Sequence, residues 1–388
     1  MAIPAGFPRQ LLERSAEERL AYFRNHTVAH VVLKEVDEAV MQAIEQPAGT
    51  SLVFVFGPTG VGKTTLLLHI QKRLIEALQK DQQEDKGHIP VASMEAAASD
   101  SRNFDWKEYY RRALMTLSEP LIRHKVDYSS QNARRNRIGH LIFNAKPATS
   151  ELRLALEDAL RYRRLRAFIV DEAQHLTRMA SGRKLQDQLD CVKSLANMTG
   201  TVHLLVGTYE LLALRNLSGQ LSRRSADIHF RRYRADSATD AKAFQSVLWD
   251  FQRHLPLPQE PELLRHWQYC YERTIGCIGV LKTWLMKTLA EVIRVGAPTV
   301  TLQHLEKHAL SVSQCVSMST EALKGEEAFS DTEDSREKLR DLLGIKMQSP
   351  AFSESEIEGR CSPKSVPRRV AQRKPYRDPI GINPHVGQ

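Results

Sequence analysis

One stretch constrains this chain more than any other: Gly57-Pro-Thr-Gly-Val-Gly62-Lys63-Thr64, set between the apolar run Ser51–Phe56 and the helix-forming segment TTLLLHIQKRLIEALQK. A continuous β-branched and aromatic run predicts a strand covered on both faces, as in a parallel sheet. The glycine-rich turn after it lets backbone N–H groups curl around a phosphate, and the helix N-terminus adds the positive end of its dipole. In this pattern Lys63 reaches the β- and γ-phosphates and Thr64 offers its hydroxyl to magnesium. ATP and Mg2+ are the ligands implied. The expected phosphate-contacting set is Gly57, Pro58, Thr59, Gly60, Val61, Gly62, Lys63, Thr64 and Thr65.

Around this loop the sequence alternates strand and helix signals. Thr27–Gln46 carries Val28, Val31, Val32, Val36, Val40 and Ile44 at helical spacing, after a start with no clear periodicity. His88–Ser93, Arg166–Val170 and Val202–Val206 predict further strands; Phe104–Leu117, Ser150–Tyr162 and Gln186–Asn197 predict helices. Such alternation implies an α/β fold with a parallel sheet flanked by helices. Beyond Asp236 the strand signals fade, and Glu262–Arg273, Ile278–Arg294 and Leu302–Val312 predict a small α-helical lid. From 317 hydrophobicity drops, and an acid-rich stretch is followed by arginines and lysines among prolines and serines. That composition predicts a tail disordered in isolation. The expected division is therefore 1–48, an N-terminal helical segment; 49–235, the nucleotide-binding domain; 236–316, the lid; and 317–388, the tail.

A second motif follows in the right order. Phe168-Ile-Val-Asp171-Glu172 is an apolar strand ending in two carboxylates, the arrangement needed to hold a metal beside the phosphates and to orient or activate water. Asp171 is the expected metal ligand with Thr64, and Glu172 the expected base. Thr208, ending VHLLVGT, stands where a polar sensor of the γ-phosphate would be. Arg223 and Arg224 follow a short helical stretch, Leu211–Leu221, where an oligomeric ATPase would project an arginine into its neighbour's site. Lys282, in the lid segment GCIGVLK, is within plausible reach of the phosphates. Ala173-Gln174 invites comparison with helicase DEAx boxes, but no arginine-rich helicase motif lies downstream.

Composition bounds the rest. The 55 lysines and arginines exceed the 46 acidic residues, and the pI is near 9.3, which allows a polyanionic partner without requiring one. Five cysteines form no CxxC pair, so neither a zinc site nor a disulfide framework is indicated. No long apolar run and no signal-type start occur, which points to a cytoplasmic protein with no membrane partner.

Taken in order, GPTGVGKTT, FIVDEAQHL, HLLVGTYEL, GQLSRRSADIHFRRY and GCIGVLKTWL resemble the TnsC/TniB family of transposition ATPases, over roughly Thr27 to Val312. The resemblance implies an AAA+ P-loop ATPase that assembles on double-stranded DNA as rings or helical filaments of itself. It would link a target-selection protein of the TniQ/TnsD type to the transposase, in a bacterial cytoplasm, with hydrolysis resetting the assembly. It also implies roles for Lys63, Thr64, Asp171, Glu172, Thr208 and one of Arg223 and Arg224 as above. Lys282 departs from the arginine that many AAA+ proteins place in the lid. DNA-tracking residues of the family lie after the second strand, which points to Arg102, Lys107 and Arg111, with Arg134, Arg135 and Arg137 beyond. Lysine and arginine contacts to phosphate give sequence-independent, salt-sensitive binding.

Three other readings share the phosphate loop. An initiator- or clamp-loader-like AAA+ protein often adds a winged-helix domain, of which the C-terminus shows no sign. A P-loop small-molecule kinase needs a second substrate pocket and no trans arginine. A scaffold that binds ATP without hydrolysing it has no use for Glu172.

Overall fold

The structure, a computed structural model, describes residues 6–79, 85–97, 104–120, 122, 134–135, 141–142, 148–177, 183–215, 225–330 and 333–345. The chain divides into two units, Met1–Ser330 and Asp331–Gln388.

In the first unit five strands form a wholly parallel sheet: β1 (Leu52–Phe56), β2 (Val91–Glu95), β3 (Ala167–Asp171), β4 (Val202–Gly207) and β5 (Ser225–His229). Their order is β2-β3-β4-β1-β5. Period-two alternation sends successive side chains of β1 to opposite faces. Val53 and Val55 join a core with α2 (Val31–Glu45) and α3 (Lys63–Ala77). Leu52, Phe54 and Phe56 join another with α4 (Trp106–Thr116), α5 (Thr149–Tyr162) and α6 (Arg183–Thr199). All five side chains are at most 1% exposed, each contributing about 1.5–3 kcal/mol by burial. The apolar run that precedes the glycine loop is thus the parallel strand covered on both faces that it was expected to be. A separate two-residue hairpin pairs Arg134–Arg135 with Leu141–Ile142.

After β5 come α7 (Ala238–His254), α8 (Trp267–Thr274), α9 (Ile278–Val295), α10 (Leu302–His308) and α11 (Val312–Phe329). Phe244, Phe251, Leu281, Trp284 and Leu285 of this lid belong to the same continuous core as α2 and α3. The lid has more helices than the three expected: α7 opens it, with Phe244, Val247, Leu248 and Phe251 buried at intervals of three and four.

The N-terminal segment contains α1 (Ala16–Asn25), opened by a capping box in which the Ser15 hydroxyl accepts from the Glu18 N–H at 3.2 Å. Phe23 of this helix meets Phe251 edge-on at 5.8 Å. The boundary expected at 317 falls inside α11, where Cys315, Ala322 and Gly325 are buried. Arg232 anchors this helix to the segment after β5, its Nε donating to Glu326 Oε1 at 2.8 Å. In the second unit α12 (Glu333–Leu343) has no buried residue.

Candidate nucleotide site

The strand order sets the site. β3, β4 and β1 are neighbours, so their carboxyl ends bring Asp171, Thr208 and Gly57 side by side, in the crevice where open parallel sheets bind ligands. The Gly57 N–H donates to the Gly207 carbonyl at 3.2 Å, joining the start of the loop to the end of β4.

Lys63 begins α3 and is only 7% exposed. Its ammonium donates to the carbonyls of Gly57 and Pro58, both at 3.0 Å, so the loop wraps its own cation. Burial pulls its pKa below the usual lysine value, while Glu172 and then Asp171 oppose that shift. Gly60 lies at φ +79° and faces the lid: a Cβ there would stand 2.4 Å from Val280 Cγ2. The Val280 N–H donates to the Gly60 carbonyl at 3.1 Å, docking the first turn of α9 on the loop.

Asp171 ends β3, with Glu95 of β2 opposite it in register. Its carboxylate accepts from the Glu172 N–H at 2.9 Å. Burial pushes the Asp171 pKa above the ordinary carboxylate range against that hydrogen bond, and the charges of Glu172 and Glu95 add to the rise. Glu172 sits at φ 50°, ψ 35°, a left-handed conformation that costs a non-glycine residue about 1–3 kcal/mol and clusters at functional sites. Thr208 follows β4 directly, and its Oγ1 is buried without a hydrogen-bond partner in the described structure. An orphaned hydroxyl costs about 1–3 kcal/mol, and a phosphate oxygen would satisfy it.

Gln174, which in the sequence suggests only a comparison with helicase boxes, stands between Glu172 and Thr208. It is 3% exposed, its Nε2 donates to Glu172 Oε2, and its Oε1 accepts from the Thr208 N–H at 3.2 Å.

On the lid side a cavity of about 30 Å³ is lined by Val28, His30, Val61, Gly62, Thr65, Phe251, Ile278, Gly279 and Lys282, among others. It shares Thr27, Leu33, Thr65 and Lys282 with a cleft of about 890 Å³ that runs along α2 and α3, a volume typical of ligand clefts. Lys282 is thus brought to the first turn of α3. Its partial burial lowers its pKa.

Arg223 and Arg224 lie outside the described residues, as do Arg102 and Arg137. The helical stretch expected at Leu211–Leu221 begins as a 3-10 turn, Tyr209–Leu211, and one helical turn, Leu212–Arg215. Arg134 and Arg135 form one strand of the hairpin. Lys107 and Arg111 lie on α4, where the Arg111 Nε donates to Glu108 at 2.8 Å and the Arg112 Nε to the same carboxylate at 2.8 Å. The two guanidiniums thus share one carboxylate, beside the Asp105 N-cap of the same helix. Among the described residues one trio could offer metal ligands, His26, Asp250 and His254. The two imidazoles stack 3.8 Å apart and 14° from parallel, so their in-plane lone pairs do not converge on one ion.

A family model described as an AAA domain matches residues 46–214. No curated protein matches the chain. Among solved structures, the Aeropyrum pernix ORC2 protein is similar at 16% identity, covering 75% of this chain and 70% of that one, with a TM-score of 0.46. The Aeropyrum pernix ORC1 protein in complex with DNA is similar at 16% identity, 76% and 70% coverage and a TM-score of 0.48. Domain III of the Thermotoga maritima replication initiation protein DnaA is similar at 12% identity, 78% and 97% coverage and a TM-score of 0.38. Over residues 46–214 the chain carries an AAA domain.

Proposed function

We propose that this chain is an ATP-dependent, DNA-binding regulator of transposition of the TnsC/TniB type. It assembles as rings or filaments on double-stranded target DNA, connects a target-selection protein to the transposase, and uses ATP hydrolysis to control disassembly. The observation that carries the nucleotide part is the convergence of Lys63, Asp171, Glu172 and Thr208 at the carboxyl ends of three adjacent strands. The transposition part is supported by the sequence blocks VGTYEL and QLSRRSADIHF.

The oxygen donors fit a hard divalent cation. Asp171 is partly buried beside the charges of Glu172 and Glu95, a build-up that Mg2+ relieves. The Thr64 hydroxyl and Asp171 carboxylate would hold it, and when bound it neutralises charge on the phosphates. Lys63 leaves its two loop carbonyls for phosphate oxygens, a stronger charge-assisted pairing. Thr208 offers its unpartnered hydroxyl to the γ-phosphate, and Glu172 takes the proton from the attacking water. Lys282 approaches from the lid. One of Arg223 and Arg224 stabilises the transferring phosphoryl group from a neighbouring copy.

DNA is held through phosphates by basic residues, with Arg102, Lys107 and Arg111 leading and Arg134, Arg135 and Arg137 as the further cluster. Duplex binding followed by fluorescence anisotropy tests this. Binding should require ATP, ignore sequence and weaken steeply with salt. Reversing charge at Arg102, Lys107 and Arg111 together should weaken it alike on every duplex while nucleotide binding is kept. Unchanged DNA affinity in that variant would move the surface elsewhere; a phosphorylated small-molecule product would contradict the reading.

A further inference from the structure

We propose that Gln174 is a positioning residue for ATP hydrolysis, whose side-chain amide holds the Glu172 carboxylate toward the phosphate loop and ties it to the backbone of Thr208. The inference rests on Glu172 being the base, and goes beyond it by naming what sets that base in place.

Donor and acceptor identities fix the amide. An ionised carboxylate only accepts and a backbone N–H only donates. The Gln174 NH2 must therefore face Glu172, and its oxygen must face Thr208. Either flip would set oxygen against oxygen and N–H against N–H. The amide has little room for other partners, being 3% exposed.

The neighbouring strand is cut to fit. A Cβ at position 207 would stand 2.2 Å from Gln174 Oε1 and 3.0 Å from Leu211 Cδ1. Gly207 is thus what admits the amide between β3 and β4. The backbone of Gln174 is also fixed, since its carbonyl accepts from the Thr177 hydroxyl at 2.7 Å and the Thr177 N–H at 2.9 Å.

The orientation so imposed is the useful one. Glu172 and Asp171 both oppose the effect of burial on the Lys63 ammonium, so the Glu172 carboxylate lies within electrostatic reach of the loop where phosphates bind. Thr208, at the other end of the amide, carries the unpartnered hydroxyl. A phosphate oxygen engaged by Thr208 is thereby linked through one side chain to the group that activates water.

The test is steady-state ATP hydrolysis by the full chain with duplex DNA present, comparing Gln174→Met, Glu172→Gln and the double variant. Met keeps the volume and removes both hydrogen bonds. Gln174→Met should lower kcat about 10–100-fold, the scale of a misplaced catalytic group, with KM for ATP within about two-fold and only a modest fall in melting midpoint, because two buried hydrogen bonds are lost. In the Glu172→Gln background the same substitution should cost less than about two-fold, because a residue that acts only by placing the base has nothing left to place. Gln174→Asn, which reaches one partner only, should fall between parent and Met, and it serves if Met destabilises the fold. The inference is overturned if Gln174→Met keeps the parent kcat while Glu172→Gln is slow. It is equally overturned if the loss is as large in the Glu172→Gln background as in the parent. Parent-rate hydrolysis by Glu172→Gln itself would instead remove the base assignment, and the inference with it.

Discussion

Glu326→Ala should destabilise the first unit measurably although it lies in a segment whose composition reads as tail. Arg232 is 9% exposed, and the paired side chains of Arg232 and Glu326 are 10% and 14% exposed. Two bonds join them, Nε to Oε1 at 2.8 Å and Nη2 to Oε2 at 3.2 Å. Without the carboxylate, the buried guanidinium keeps neutral acceptors, the Ile275 carbonyl at 3.2 Å and the Tyr271 hydroxyl at 3.5 Å. Removing one partner of a buried pair costs about 3–5 kcal/mol; residual exposure places this case near 3. Unfolding entropy of about 2.1 cal/mol/K per residue, over a unit spanning Met1–Ser330, converts that to a fall of roughly 4–5 °C in melting midpoint. Arg232→Met/Glu326→Leu should recover most of the loss, since no unpaired charge remains. Differential scanning fluorimetry and urea unfolding read both variants. A Glu326→Ala protein within about 0.5 kcal/mol of the parent, against the cost expected for a buried pair, would refute the reasoning. Truncation gives the same contrast. Ending the chain at Ser330 should leave the midpoint unchanged. Ending it at Thr320 also removes Phe329, whose ring lies 5.8 Å from Phe56 and 4.7 Å from His229, and should lower it.

Two further outcomes are expected. Mixing an Arg223→Ala/Arg224→Ala protein with a Lys63→Ala protein should restore some hydrolysis at mixed subunit boundaries, and co-assembled mixtures as inactive as their components would end the trans-arginine model. Burial pushes His30 and His203 down to about 4, below the unfolded value near 6.5, so protonation favours the unfolded chain. Their stabilisation is complete above about pH 6.5 and is lost toward pH 4, at up to about 1.4 kcal/mol per pH unit for each. His203→Phe should flatten the acid side of a midpoint-against-pH curve, and an unaltered slope would count against this origin.

Much of the fold was legible where one residue pattern has one physical solution. The run Ser51–Phe56 is apolar on both faces because β1 is covered on both, and the strand-to-loop-to-helix step follows from it. β5 escaped notice because it is an edge strand: Ala226 and Ile228 pack inward but are only partly buried, and polar residues separate them. The helices α1 and α7 left signals that could have been read, a Ser15-x-x-Glu18 box and a three-four spacing of aromatic and aliphatic residues. α11 is harder. Its serines and small apolar residues give weak amphipathicity, and its place is set by long-range partners, Arg232 and Phe56, that no local pattern discloses. In the site, Lys63, Asp171 and Thr208 follow from motif and strand order. Gln174 does not, because its role depends on which backbone N–H lies across the sheet.

Separate measurement of ATP binding and ATP turnover in the parent, Lys63→Ala and Glu172→Gln proteins tests the central claim most directly. The parent should bind ATP and release ADP and phosphate; Lys63→Ala should bind none; Glu172→Gln should bind as the parent does, stay on duplex DNA, and turn over at least about 100-fold more slowly, the scale of a lost general base. Lys63→Ala binding ATP at parent affinity, or Glu172→Gln hydrolysing it at the parent rate, would contradict the account.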